Sequence, residues 1–129
     1  MKRRMDWPER LNEALEAAQS LKFSEAYCCA AFAADVVKAM TDVDPLPVRH
    51  ETVAEAYAHM RENFASIDDA LAFTFGAPVP VSFARRGDVV LSGDVTLGIC
   101  CGQVSAFISS DGGLAFEPTL EQVAAYRVG

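Results

Sequence analysis

The amino-acid sequence predicts an α+β fold, in which N-terminal helices pack on a C-terminal antiparallel sheet. Up to residue 75 the apolar side chains recur at helical spacing, whereas from residue 77 onward short apolar runs alternate with turn residues. The runs follow one another without an intervening helix, which is typical of an antiparallel meander. The 129 residues contain no repeat or linker, so the sequence predicts one domain spanning residues 1–129.

The composition of the chain argues against several classes of protein. Apolar residues form 51% of the sequence and charged residues 22%, a balance typical of a folded globular domain. The net charge of −7 disfavours a nucleic-acid-binding protein, which normally carries a basic face. No stretch approaches the roughly 18 apolar residues of a membrane span, and the N-terminus lacks the apolar core of a signal peptide. We therefore expect a soluble protein made in the cytoplasm.

The first two predicted helices differ in how much of their surface is apolar. The first begins after Asp6 as N-cap, with Pro8 in its first turn and Glu9 at the capping-box position. The second, from about Tyr27 to Met40, is apolar nearly all round, which is typical of a buried helix.

Two further helices are predicted before the strands. Residues 51–64 form an amphipathic helix, whose apolar face contains Val53, Tyr57 and either Met60 or Phe64. A shorter helix is capped by Ser66, with Asp69 three residues later, and is ended by Gly76.

The strand region is divided by glycine-containing turns. Its predicted extended runs are residues 78–83, 87–94, 95–102, 104–110 and 114–118. Gly102-Gln103 and residues 111–113 are expected to be turns between neighbouring strands. Gly87 and Asp88, within the tripeptide at 86–88, are also interpreted as turn residues. The last stretch, 119–129, predicts a helical turn followed by an edge strand.

The four cysteines occur as two adjacent pairs, Cys28-Cys29 and Cys100-Cys101. The chain lacks the C-x-x-C spacing that usually holds zinc, and neighbouring cysteines rarely bond to each other, so we expect free thiols and no cofactor. A disulfide between the two pairs and a metal site of four thiolates are the less favoured alternatives. One residue of the second pair is expected to face the core beside the second helix. The first pair falls at the predicted start of that helix, where a thiol is either an activated nucleophile or a small apolar packing residue.

A thiol nucleophile also requires a base, and the chain has only two histidines. His50 lies in a connecting segment and His59 lies in the middle of the third predicted helix. We expect His59 to be a solvated or half-buried surface residue and His50 to be a helix-start or loop residue. Neither belongs to the strand region, where a base facing the second helix would be expected.

Three stretches resemble the NlpC-type cell-wall cysteine peptidases, which are papain-like α+β domains that cut peptide stems in peptidoglycan. They are YCCAAFAADVV at 27–37, RRGDVVL at 85–91 and TLGICCG at 96–102. The family pattern is an aspartate-cysteine pair at a helix start, a Gly-Asp turn before an apolar strand, and a histidine two residues before a glycine. From DWPERL near the N-terminus to the final AAYRV, the chain is similar to a small subfamily encoded among phage and gene-transfer-agent tail genes.

The resemblance implies that Cys29 occupies the nucleophile position, because Phe32 fits the pattern three residues later. An alternative register makes Cys28 the nucleophile. The histidine position falls on Thr96, and threonine is not a base near neutral pH. Since a positioned base contributes roughly 10²–10⁴-fold in rate, the resemblance implies a degenerate peptidase domain. The alternative is an active peptidase acting on peptidoglycan, in which His50 or a partner chain supplies the base.

The resemblance further implies a component of a phage or gene-transfer-agent tail near the hub or tip, made in the bacterial cytoplasm and carried in the virion. Other tail or hub proteins would be its partners. Candidate contact segments are residues 1–7, 43–50 and 76–86. Trp7, the sole tryptophan, either fastens the first helix to the body of the protein or anchors a partner. A neutralising protein that mimics an acidic ligand is a further alternative, which rests on net charge alone.

Overall fold

The computed structural model describes residues 1–129 and contains four α-helices followed by a five-stranded antiparallel sheet. The helices are α1 (Trp7–Ala18), α2 (Cys29–Thr41), α3 (Val53–Asn63) and α4 (Ile67–Phe75). The strands are β1 (Val89–Leu91), β2 (Leu97–Cys100), β3 (Val104–Ile108), β4 (Leu114–Pro118) and β5 (Ala124–Tyr126). The predicted α+β class is confirmed. None of the helices combines the length and the apolar character needed to cross a membrane.

The strands follow the order β4-β3-β2-β1-β5 across the sheet. β1 to β4 form the predicted meander, and β5 returns to pair with β1 at the opposite edge. The prediction of a helical turn and an edge strand after residue 119 is confirmed, since a 3-10 turn at Thr119–Glu121 precedes β5. The predicted extended run at 78–83 is only partly correct. It contributes one bridge, between Val79 and Ala125, and then a 3-10 turn at Val81–Phe83.

Helix α2 packs against one face of the sheet and α1 packs on α2, and together they form the main core. Eight of the thirteen residues of α2 are buried, which explains why its sequence is apolar nearly all round. The largest fully buried side chains of this core are Leu11, Phe32, Val36, Val37, Met40, Val89, Ile99, Tyr126 and Val128. The opposite face of the sheet has a smaller core of its own. It consists of Val90, Cys100, Phe107 and Ala125, covered by Val79, Val81 and Ala84.

The second cysteine pair is divided between these two cores. Cys101 is partly buried against the main core, as expected for one residue of the pair. Cys100 is fully buried on the opposite face, where its Sγ lies 3.9 Å from Thr119 Oγ1. Strand alternation therefore assigns both thiols to packing positions.

Two local predictions about the helices are only partly correct. Asp6 precedes α1 but makes no side-chain cap, because its carboxylate accepts instead from Arg4, with Nε 2.8 Å from Oδ1. The predicted third helix is present as α3, but it buries no residue, and Tyr57 on its apolar face is 58% exposed. This helix packs mainly on α4 rather than on the sheet, so its apolar face has little to cover it. The cap of α4 is confirmed, since Ser66 Oγ accepts from the Asp69 N–H.

A buried carboxylate joins the two ends of the chain to the turn before β1. Asp88 is inaccessible to solvent and accepts from the backbone N–H of Arg85 at 2.8 Å and of Val128 at 3.1 Å. Arg3 Nη2 donates to the same carboxylate at 3.0 Å. The remaining Arg3 donors bind the carbonyl oxygens of Val128 and Arg86. The predicted turn at Gly87 (φ 94°) is confirmed, and its neighbour Asp88 also has a structural role that the sequence did not reveal.

Replacement of Asp88 is expected to destabilise the protein strongly. Asp88→Asn removes the counter-charge of a largely buried guanidinium, and breaking such a pair typically costs about 3–5 kcal/mol. Urea unfolding followed by circular dichroism measures the change. Asp94→Asn is the matched control, because Asp94 is exposed and makes no hydrogen bond. A loss below about 1 kcal/mol in Asp88→Asn would contradict a structural role for the pair.

Gly98 in β2 is expected to tolerate no larger residue. A Cβ at this position would lie 2.6 Å from Phe107 Cε1 and 2.7 Å from the Ala106 carbonyl oxygen. Overpacking of this kind costs about 1–3 kcal/mol, so Gly98→Ala should lower the urea midpoint. Gly93→Ala is the control, since its Cβ would meet only Val123 at 3.9 Å. Equal midpoints for the two variants would disprove the close approach.

Candidate functional site

The first cysteine pair marks the start of α2, as predicted. Cys28 is the N-cap residue in an extended conformation and Cys29 is the first helical residue, two positions later than the predicted start at Tyr27. A turn before the helix is closed by Ser24, whose Oγ accepts from the Tyr27 N–H at 3.0 Å. Neither cysteine caps the helix with its side chain, and all four cysteines are free thiols.

The Cys29 thiol is half-buried against the main core beside the first residue of β2. Burial raises its pKa above the ordinary value of a thiol, because the thiolate loses hydration. The backbone of Leu97 acts in the opposite direction, as do the backbone groups of Cys29 and Ala30 at the helix start. Burial is the larger effect, so the position at a helix N-terminus does not activate this thiol.

Thr96, at the position of the missing base, is adjacent to the strand that contacts Cys29. Leu97 and Ile99 face the main core, whereas Gly98 contacts Phe107 on the other face of the sheet. Strand alternation therefore assigns Thr96 to the face opposite the helices. There it lines a shallow depression together with Ser92, Asp94, Phe107, Glu117, Glu121 and Gln122. The structure brings the backbone at 96–97 to Cys29, but the Thr96 hydroxyl makes no hydrogen bond to it.

The two histidines contact each other rather than a cysteine. His50 Nε2 lies 3.0 Å from His59 Nδ1, and the ring centroids are 5.1 Å apart in an edge-to-face arrangement. His59 is exposed on α3 and His50 is half-buried in the segment before it. Both predictions are confirmed, since His59 is a surface residue of α3 and His50 lies in the loop before that helix. The alternative in which His50 serves as the base has no supporting contact in this structure.

The polar groups near the start of α2 form charge pairs rather than a catalytic base. Arg49 Nη2 donates to Asp35 at 3.0 Å and contacts Asp44 at 3.4 Å, which fastens the segment after α2 to that helix. Tyr27 has its pKa raised to about 12 by burial and by the charge of Asp35. A phenol with this pKa stays protonated at neutral pH and cannot accept a proton from Cys29.

The structure shows no cluster of three or more histidine, cysteine or acidic side chains that could hold a metal ion. It does bring together two segments that the sequence marked separately as contact surfaces. Residues of 1–7 and 76–86 form a pocket, here called the cationic pocket, with the C-terminal glycine. Its lining residues are Lys2, Arg3, Trp7, Arg85, Arg86 and Gly129. The only signal in the sequence was the basic character of each segment.

Comparison with known proteins identifies the family but no activity. Residues 2–128 match the family described as a domain of unknown function, DUF6950. Because the match covers nearly the whole chain, the protein belongs to this family. A search of curated proteins found no significant match.

Cys29 is expected to react slowly with iodoacetamide at neutral pH. Its pKa is raised in the folded chain, so the folded state holds the thiol proton more tightly than the unfolded state. The associated stability is complete below the unfolded thiol pKa of about 8.5 and is lost as the pH rises through the folded value. Labelling should therefore accelerate only in alkaline solution, as measured by mass spectrometry.

A Cys28→Ser variant serves as the control for this experiment, because it removes the neighbouring thiol from the same peptide. The same labelling in urea gives the rate at which the Cys29 thiol reacts once unfolding has exposed it. Half-maximal labelling of folded Cys29 below about pH 7 would show an activated thiolate and would contradict this assignment.

Proposed function

We propose that this protein is a degenerate NlpC-like, papain-like domain that serves as a structural component of a phage or gene-transfer-agent tail, near the hub or tip. The observation that carries the proposal is the state of Cys29. The residue at the nucleophile position has a pKa raised by burial, and no histidine side chain contacts it.

The arrangement of α2 and β2 supports a papain-like ancestry for the domain. Cys29 begins a helix buried against the sheet, and its thiol lies beside the first residue of β2. A cysteine peptidase uses such a helix start for the nucleophile and a neighbouring strand for the base. In this chain the elements are present, but the residue before Leu97 is Thr96, which cannot remove a proton near neutral pH.

The missing base has a substantial energetic consequence. A positioned general base contributes roughly 10²–10⁴-fold, which corresponds to about 3–5 kcal/mol of activation free energy. The raised pKa of Cys29 adds to this deficit, because only the thiolate is nucleophilic. Cleavage of peptidoglycan is therefore less well supported than a structural role in a tail.

Exposed apolar side chains support a role in assembly. The two 3-10 turns contact each other and carry Phe83, which is 62% exposed, and Leu120, which is 71% exposed. Val123 follows the second turn and is 63% exposed. Apolar groups gathered at a surface in this way are typical of sites that bind another protein. Phe83 also belongs to the segment 76–86, which the sequence marked as a contact surface.

The assembly role predicts that the protein copurifies with tail particles. Particles released from the producing cells are purified on a density gradient, and peptides of this chain are counted by mass spectrometry. We expect the peptides to follow the tail proteins through the gradient at a constant ratio. A cytoplasmic protein of similar abundance is the control for carry-over. Peptides that remain at the top of the gradient would overturn the tail assignment.

The loss of catalysis predicts that cell-wall peptides are not cut. Purified peptidoglycan stem peptides are incubated with wild type and with Cys29→Ala, and the products are followed by liquid chromatography. We expect both proteins to match the buffer blank, whereas an active NlpC-type peptidase cleaves the same substrate. Cleavage by wild type that Cys29→Ala abolishes would show an active peptidase and refute the degenerate assignment.

A further inference from the structure

The cationic pocket lies where both ends of the chain meet the turn before β1. Lys2 and Arg3 come from the N-terminal segment, and Arg85 and Arg86 from the segment before β1. The Trp7 ring forms an apolar part of its wall, and the Arg3 guanidinium lies 4.3 Å from the centroid of that ring. The pocket has a volume of about 540 Å³.

The positive charge of this pocket is only partly neutralised within the chain. Arg3 forms an ion pair with Asp88, but Lys2, Arg85 and Arg86 form none. Burial lowers the pKa of Arg3, and the like charge of Arg85 lowers it further. In a protein of net charge −7, a concentration of unpaired cations is unusual. The unpaired cations therefore give the pocket a positive potential that ion pairs within the chain do not offset.

The fold does not need the charges of all these residues. Arg3 is fixed by Asp88 and by two backbone carbonyl oxygens, and Arg86 is fixed by Nη2 bonding to Asn12 Oδ1. Lys2 and Arg85 are exposed, and their side chains have no hydrogen-bond partner. The pocket therefore combines guanidinium groups already held in place with two cations that are free to bind.

We propose that the cationic pocket binds an acidic segment of a partner protein, whose carboxylates pair with Arg85, Arg86 and Lys2. Guanidinium groups bind carboxylates through two parallel hydrogen bonds, which favours this ligand chemistry. A volume of about 540 Å³ accommodates several side chains rather than one small ion. The Trp7 ring provides an apolar surface against which the carbon chains of such a segment can pack.

This inference extends the proposed assembly role by naming the chemistry of one partner surface. It is tested on the isolated protein, without tail particles or a peptidase substrate. Its failure would therefore leave the particle and cleavage experiments to decide the proposed function independently.

The sole tryptophan of the chain reports directly on the pocket. A hexaglutamate peptide is titrated into the full chain, and the fluorescence of Trp7 is followed. We expect a saturable change that weakens as the salt concentration rises from about 50 to about 200 mM, because salt screens the attraction. The double variant Lys2→Gln/Arg85→Gln should lower the affinity by about tenfold, because it removes the two cations of the pocket that have no partner within the chain.

Lys22→Gln/Lys38→Gln is the matched control, since it removes two exposed positive charges outside the pocket and gives the same net charge. It should bind the peptide as wild type does. Equal weakening in the two double variants would show nonspecific attraction and overturn the proposal. A titration with inorganic phosphate distinguishes a pocket that binds free phosphate from one that binds the carboxylates of a peptide. Saturation by phosphate without any response to the peptide would also overturn the proposal, as would no response to either.

Discussion

The ion pair between the part-buried Arg3 and the fully buried Asp88 is the interaction on which the arrangement of this chain depends. Its partners are 85 positions apart in the sequence, and the same carboxylate binds the Val128 backbone near the other chain end. A buried carboxylate without these donors would carry a large desolvation cost. The pair therefore fixes the two termini against the turn that begins β1. It also holds Arg3 against the ring of Trp7, the first residue of α1.

The same closure creates the cationic pocket. Once Arg3 is held by Asp88, the segment that precedes β1 lies beside the N-terminus, and its two arginines add to a site that already contains Lys2. Asp88 is already paired with Arg3 inside the fold, so its charge does not neutralise the other cations of the pocket. A contact that stabilises the protein thus leaves neighbouring cations available for an external ligand. Trp7 belongs to both roles, since it is partly buried against the main core and lines the pocket.

The candidate catalytic position illustrates two opposing electrostatic effects. Backbone N–H groups at a helix start favour a thiolate, and the Leu97 backbone adds to this at Cys29. Removal of water from the thiol disfavours the charged form, and here that effect is larger. An imidazolium beside Cys29 would lower the pKa of the thiol, but His50 and His59 contact each other instead. Membership of the DUF6950 family leaves the chemistry open, so the geometry around Cys29 is the main guide to function.

The sequence by itself determined the features that depend on neighbouring residues. The α+β order, the Ser66 cap, the turn at Gly87 and the start of α2 at the cysteine pair follow from periodicity and turn chemistry acting within a few positions. Only the tertiary structure decided how the segments meet. Asp6 was diverted from its cap by Arg4, α3 was left with its apolar face uncovered, and Thr96 was assigned to the far face of the sheet. The buried pair and the environment of Cys29 belong to this second group, because burial and charge pairing are set by residues distant along the chain.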